Sequence, residues 1–187
     1  MHARHEGAGQ IEVIAGGMFS GKSEELVRRL RRAVIARQRV QVFKPSLDTR
    51  DEADILVTRD RRQLDAHSVP DSASLRAALA PETQVVGVDE VQFFDAGIVT
   101  LAMELADRGL RVILAGLDQD FERRPFGPMP ALLAVAEQVD KMHAVCVVCG
   151  EPAQYSQRIA GGREQVLVGD VEAYEARCRR CYETPDS

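Results

Sequence analysis

The sequence predicts an α/β fold, a mostly parallel sheet flanked by helices, with a small cysteine-bearing module at its C-terminal end. Three observations carry this. Short apolar, β-branched runs alternate with helical stretches, which suits strands buried on both faces and joined by right-handed crossovers. A glycine-rich turn separates the first such run from the first helix. From about residue 146 onward the texture changes to paired cysteines, turn residues and short polar segments.

The strand candidates are "IEVIA" at 11–15, "VQVFK" at 40–44, "QVVGVD" at 84–89, "RVILAG" at 111–116 and "KMHAV" at 141–145. Helices are expected at 22–37, 71–80, 95–108 and 129–137, several opened by Asp or Pro and one closed by Gly109. In the first helix Leu26, Val27, Leu30, Ala33 and Val34 form one apolar stripe at spacings of three and four. Its arginines then fall on the other face and read as solvated or subunit-contacting. The segment 45–62 is charged and patternless, which reads as a loop near a ligand or a surface excursion. The expected organisation is a flexible N-terminus at 1–10, an α/β domain at 11–145 and a small module at 146–187.

With 187 residues and 45% hydrophobic content, the chain is long enough for one packed domain and an appendage. The sequence contains no apolar run long enough to span a membrane, and "MHARHEGAGQ" lacks the apolar core of a signal peptide. A soluble, cytoplasmic protein with no membrane partner is expected. A net charge of −5 and a pI near 5.4 argue against broad nucleic-acid binding, because counterion release needs a strongly basic surface.

The glycine-rich turn has a chemistry of its own. Gly16 is followed by Gly17, Met18, Phe19 and Ser20, and then by Gly21, Lys22 and Ser23. That is the spacing of a phosphate-binding loop, in the strand-to-helix context the motif requires. Glycines turn successive backbone N–H groups onto phosphates, the helix N-terminus adds a favourable dipole, Lys22 reaches the β and γ phosphates, and the Ser23 hydroxyl ligates Mg²⁺. The fold class becomes a P-loop, RecA-like α/β domain. Such a loop needs an acidic residue at a neighbouring strand end, and "VVGVDE" offers Asp89 for the metal, with Glu90 beside it. Glu90 is placed to accept the proton of a hydroxyl acceptor, or to orient a water. Phe93 and Phe94 follow, either as core or as a stacking wall.

All four cysteines fall into two knuckles, Cys146 with Cys149 and Cys178 with Cys181. Two such pairs supply the four thiolates of a tetrahedral structural Zn²⁺ site. Their separation exceeds the roughly 15–20 residues usual for the pattern, so a long loop or hairpin must leave the knuckles. Redox pairs or two disulfides are the alternatives; without a secretion signal, persistent disulfides are disfavoured. Structural zinc supplies roughly 10–16 kcal/mol in isolated fingers, enough to fix a module with so few apolar residues. A closed thiolate shell is structural, and the loop it anchors, about 150–177, becomes a lid over an acceptor site.

Across "GGMFSGKS", "DTR", "DEVQFF", "LDQDFERRPFG" and "CVVC…CRRC", from about 11 to 182, the chain resembles the cytosolic-type, or type II, thymidine kinases. The resemblance implies transfer of the ATP γ-phosphate to the 5′-hydroxyl of thymidine. It implies that Gly16 to Ser23 bind the triphosphate together with Asp48, Thr49 and Arg50, and that Asp89, Glu90, Val91 and Gln92 join them. It makes Glu90 the general base and gives Asp89 to the magnesium site. For the acceptor it implies Phe121 against the base, the lid segment Gln165, Val166, Leu167, Val168 and Gly169 reading the thymine edge through its backbone, Tyr174 on the nucleoside, and Met18 and Phe93 as further walls. Phe19 reads as another contact with that pocket. A homotetramer and feedback inhibition by thymidine triphosphate are further implications. One departure stands at "TRDR", Thr58 to Arg61, where Arg59 replaces the histidine many relatives carry.

Two other classes use the same motifs. An ATP-hydrolysing switch of the recombinase type shares the sheet and the loop, since fold does not fix function; the chain has no evident extra domain or basic groove for a polymer track. A zinc-ribbon nucleic-acid binder would use Arg177, Arg179 and Arg180 around the second knuckle, against the acidic balance of the whole.

Overall fold

Strand β1 (Gln10–Gly16) buries every residue after its first, as an apolar run in a two-sided sheet should. The computed structural model describes residues 9–46, 55–57, 63–160 and 173–184. After β1 come α1 (Lys22–Ile35), β2 (Val40–Pro45), β3 (Ile55–Val57), β4 (Gln63–Asp65), β5 (His67–Val69), α2 (Ser72–Ala78) and β6 (Val85–Val88). A 3-10 turn (Val91–Phe93) leads to α3 (Gly97–Asp107), β7 (Arg111–Leu117), α4 (Met129–Val135) and β8 (Gln138–Met142). The remaining strands are short: β9 (Ala144–Val145), β10 (Pro152–Ala153), β11 (Tyr155–Arg158) and β12 (Tyr174–Arg177).

Six strands form one sheet in the order β5-β2-β6-β7-β1-β8, and every neighbouring pair is parallel. Alternate side chains of each strand enter opposite cores. Val112 and Leu114 of β7 pack with Ile98, Leu101 and Leu105 of α3 and Met129 and Leu132 of α4. Ile113 and Ala115 pack with Leu26, Val27 and Leu30 of α1 on the other face. Gly87 lets α1 dock closely, because a Cβ there would lie 2.7 Å from Leu30 Cδ1. Asp71 caps α2 by accepting from the Ser74 N–H at 2.7 Å, and Gly109, at φ 90, closes α3 as expected.

The α/β class holds, with three differences in detail. The strand expected at 141–145 lies at 138–142; its sequence, QVDKM, is polar because β8 is an edge strand, and the apolar "AV" behind it leaves the sheet to pair with β10. The edge strand β5 and the β3–β4 hairpin were not foreseen, the latter beginning inside the segment expected to be patternless; three-residue strands are too short to show a period. The third difference is on α1. Val34 is half exposed, whereas Arg29 is 7% exposed rather than solvated. Its guanidinium donates to Glu12, Glu25 and Asp140, each at 2.8 Å, and Arg111 completes the ring around Glu12. Arg28 and Arg32 do face solvent.

Candidate functional site

Parallel pairing brings three strand ends to one edge of the sheet. Gly16, the last residue of β1, is in register with Leu117, the last of β7, and β6 on the far side of β7 delivers Asp89. The crevice outside the carboxyl ends of parallel strands is where such sheets bind ligands.

The turn from β1 into α1 is tight. Phe19 and Gly21 have φ of 64 and 81, and a Cβ on Gly16 would lie 2.4 Å from the Met142 carbonyl oxygen. The Ser20 hydroxyl donates to Gly17 O at 2.7 Å, and Lys22 Nζ donates to the same oxygen at 2.6 Å. Gly21 is the N-cap of α1 and offers no side-chain bond, so the first-turn N–H groups are open to an anion. Desolvation pulls the Lys22 ammonium below its ordinary range, while the charges of Glu90, Asp89, Asp118 and Glu24 draw it back up.

Asp89 is 5% exposed. Burial, then the Glu90 charge, pushes its carboxyl up to about 7, against hydrogen bonds from the Ser23 hydroxyl and the Glu90 N–H and the charge of Lys22. A buried carboxylate beside a hydroxyl is a hard-oxygen pair that suits Mg²⁺, and a divalent ion there would hold Asp89 ionised. Glu90 follows in the left-handed region, at φ 51, a conformation that side chains rarely adopt and that recurs at functional sites.

The cysteine module sits against this loop. Ser156 Oγ in β11 accepts from the Met18 N–H at 3.0 Å, and Phe19, expected along the acceptor pocket, packs against the apolar cluster of Ala144, Cys146, Ala153, Ala176 and Cys178. At the other end of β11 the Arg158 guanidinium lies 3.7 Å over the Phe121 ring and donates to the Tyr174 hydroxyl. Tyr182 donates to the Phe121 carbonyl at 2.6 Å. One short strand thus links the phosphate loop to the two aromatic residues expected around a nucleoside. Phe93 stands edge-on to Phe126, ring centres 5.5 Å apart, while Phe94 is core.

The four cysteines are unbridged, and their sulfurs all lie within 4.8 Å of one another. A tetrahedral zinc with Zn–S bonds of about 2.3 Å needs sulfurs about 3.8 Å apart, so the donor set fits and could hold a zinc ion. Cys149 and Cys178 sulfurs are 3.6 Å apart. Backbone N–H groups of the knuckles draw the Cys146 thiol down to about 6 against desolvation, while desolvation and bonds from the other three sulfurs push Cys181 up to about 12. A central cation would remove that conflict, since thiolates are the form in which sulfur ligates zinc.

Of the expected site residues, Gly16 to Ser23, Asp89 and Glu90 come together, and Phe121 and Tyr174 meet through Arg158. Asp48, Thr49, Arg50, Arg59 and the lid segment Gln165, Val166, Leu167, Val168 and Gly169 lie outside the described residues. Ser156, Arg158 and Tyr182 join the site without any sequence motif to mark them, and Asp118 joins them. The last sits in the quoted "LDQDF" run, 7% exposed; its Oδ2 pairs with Lys141 at 2.8 Å and its Oδ1 has no partner among the described residues.

Fold and site define an α/β protein with a phosphate-loop turn at one edge of a parallel sheet. A family profile described as thymidine kinase matches residues 9–182. A thymidine kinase of Bdellovibrio bacteriovorus is 56% identical over 172 residues, 92% of this chain and 84% of that one. Thymidine kinases of Porphyromonas gingivalis and Rhodothermus sp. are each 53% identical, covering 97% of this chain and 88% and 85% of theirs. The chain belongs to the thymidine kinase family. No helix among its described residues is long and apolar enough to cross a membrane.

Proposed function

We propose that this protein transfers the γ-phosphate of Mg-ATP to the 5′-hydroxyl of thymidine, giving thymidine monophosphate. The observation that carries this is the single edge at which Lys22, Ser23, Asp89 and Glu90 gather, with β11 tying the phosphate loop to Phe121 and Tyr174. Gly16 to Ser23 hold the triphosphate, and Lys22 offsets charge on its outer phosphates. Ser23 and Asp89 would hold magnesium, which when bound would supply positive charge to offset that of the phosphates. Glu90 takes the proton of the 5′-hydroxyl as the phosphorus–oxygen bond forms, and ADP leaves with the electrons of the broken bond.

Phe121 offers a ring face to thymine, Tyr174 a hydroxyl to the nucleoside, and Met18 and Phe93 the remaining walls. Asp48, Thr49 and Arg50 on the donor side, and the backbone of Gln165 to Gly169 on the thymine edge, keep the roles the resemblance implies. The module at 146–187 acts as a zinc-held lid on the domain at 11–145. Closure excludes water, so that an alcohol and not water receives the phosphate. A homotetramer in the cytoplasm, inhibited by thymidine triphosphate, completes the reading.

The test supplies labelled ATP with each deoxynucleoside in turn and with water alone. Label should pass to thymidine, with little release in the water control; hydrolysis that needs no nucleoside would overturn the reading in favour of an ATP-driven switch. Glu90→Gln should lose turnover by about 10²- to 10⁴-fold while ATP binding survives. Near-normal turnover by that variant would remove Glu90 as the base.

A further inference from the structure

Gln92 is 2% exposed, and both ends of its amide are engaged. Its Oε1 accepts from the Leu117 N–H at 3.0 Å, and its Nε2 donates to Glu90 Oε2. The orientation of the amide is decided by chemistry, since a backbone N–H can only donate and an ionised carboxylate can only accept. Leu117 ends β7 and is in register with Gly16, so the amide hangs from the rigid strand that borders the phosphate loop. Two glycines shape its slot: a Cβ on Gly116 would lie 2.7 Å from Gln92 Oε1, and one on Gly127, itself at φ 48, would lie 2.2 Å from Gln92 O.

From this geometry we infer that Gln92 is a positioning residue for Glu90, and not a ligand of the triphosphate with which the resemblance groups it. Glu90 sits on a left-handed turn outside any helix or strand, so its backbone alone leaves the carboxylate free to rotate. The Gln92 amide holds one carboxylate oxygen to the end of β7. The other oxygen is then presented to the acceptor hydroxyl in one orientation, which is the condition for efficient proton transfer. The inference rests on Glu90 being the base, and it assigns the role of fixing that base to a buried amide that does not touch the reacting atoms.

The experiment is a double-mutant cycle on the full-length protein with thymidine and Mg-ATP. Gln92→Glu keeps an acceptor for Leu117 N–H but offers Glu90 a second carboxylate; Gln92→Met, close in shape, removes both bonds. Each should lower kcat by about 10- to 100-fold, the scale of a misplacement of about 1 Å, with KM for ATP and for thymidine changed less than about 3-fold. In a Glu90→Gln background, the same changes should lower the residual turnover less than about 3-fold, because the group being positioned is gone. Wild-type kcat in both variants, or equal losses in both backgrounds, would overturn the positioning role while leaving Glu90 as base. Full turnover by Glu90→Gln alone would overturn the base and its positioning together. If Gln92→Met does not fold, Gln92→Glu still decides the outcome, since the N–H of β7 stays paired.

Discussion

Gly16 has no room for a side chain. It combines φ 150 with a Met142 carbonyl oxygen 2.4 Å and a Ser20 Oγ 2.9 Å from where a Cβ would stand. The strand must end there in a conformation glycine alone adopts readily, with β8 pressed against it. Gly16→Ala should therefore move the loop: we expect a lower melting temperature and at least a 10-fold loss of Mg-ATP affinity, checked by thermal denaturation and titration. Unchanged ATP affinity would mean that the loop tolerates the shift. At this scale the phosphate loop is legible, because the motif is a local pattern of backbone freedom and charge. The task of Gln92 is not, because which partners its two amide ends find depends on Leu117, far along the chain.

Among the elements, α1 shows how a sequence pattern divides into two kinds of contact. Leu26, Val27, Leu30 and Ala33 dock on the sheet as their spacing predicts. Arg29, adjacent to that stripe, does not solvate; it joins α1 to β1 through Glu12 and to β8 through Asp140. Glu12 is 1% exposed, so removing a cation from it leaves a buried charge less well paired. Arg29→Met should cost about 3 kcal/mol, the low end for breaking a buried pair because Arg111 remains, whereas Arg28→Ala on the solvent face should cost only a small fraction of that because Arg29 still pairs Glu25; chemical denaturation compares the two. The network also sets an acid limit. Hydrogen bonds from Arg28 and then Arg29 hold the Glu25 carboxyl at about 2, below its ordinary 4.5. Bonds from Arg111 and Arg29 outweigh burial to lower Glu12. A depressed carboxyl stabilises the fold fully above its unfolded value and loses that contribution as pH falls through the folded one. Melting temperature should hold down to about pH 4.5 and fall between there and pH 2, with a smaller fall in Arg29→Met. A pH-independent melting temperature over that window would exclude the network as its source.

Over the whole molecule, the decisive relation is between the sheet edge and the cysteine module. The apolar cluster of that module consists of alanines and cysteines, too small to hold its strands without the metal its four sulfurs fit. Stripping zinc with a strong chelator, or Cys146→Ser, should unfold β9 to β12 and abolish thymidine turnover while Mg-ATP binding to the phosphate loop persists. Metal analysis should find one zinc per chain before treatment. Loss of ATP binding in step with the metal would show instead that the Ser156–Met18 contact supports the loop itself.

Features that are local or periodic were legible in the sequence: the buried parallel strands, the helices between them, the phosphate loop, the acidic pair after β6 and the two cysteine knuckles. The edge strands β5 and β8 escaped it in whole or in register, because a strand half open to solvent is short or polar and its pairing is set by neighbours. Folding was needed to bury Arg29, to join the phosphate loop to Phe121 through β11, and to hang Glu90 from the end of β7 through Gln92. Each of these is a match between one donor or ring and a partner distant in sequence, and such matches exist only once the chain has closed on itself.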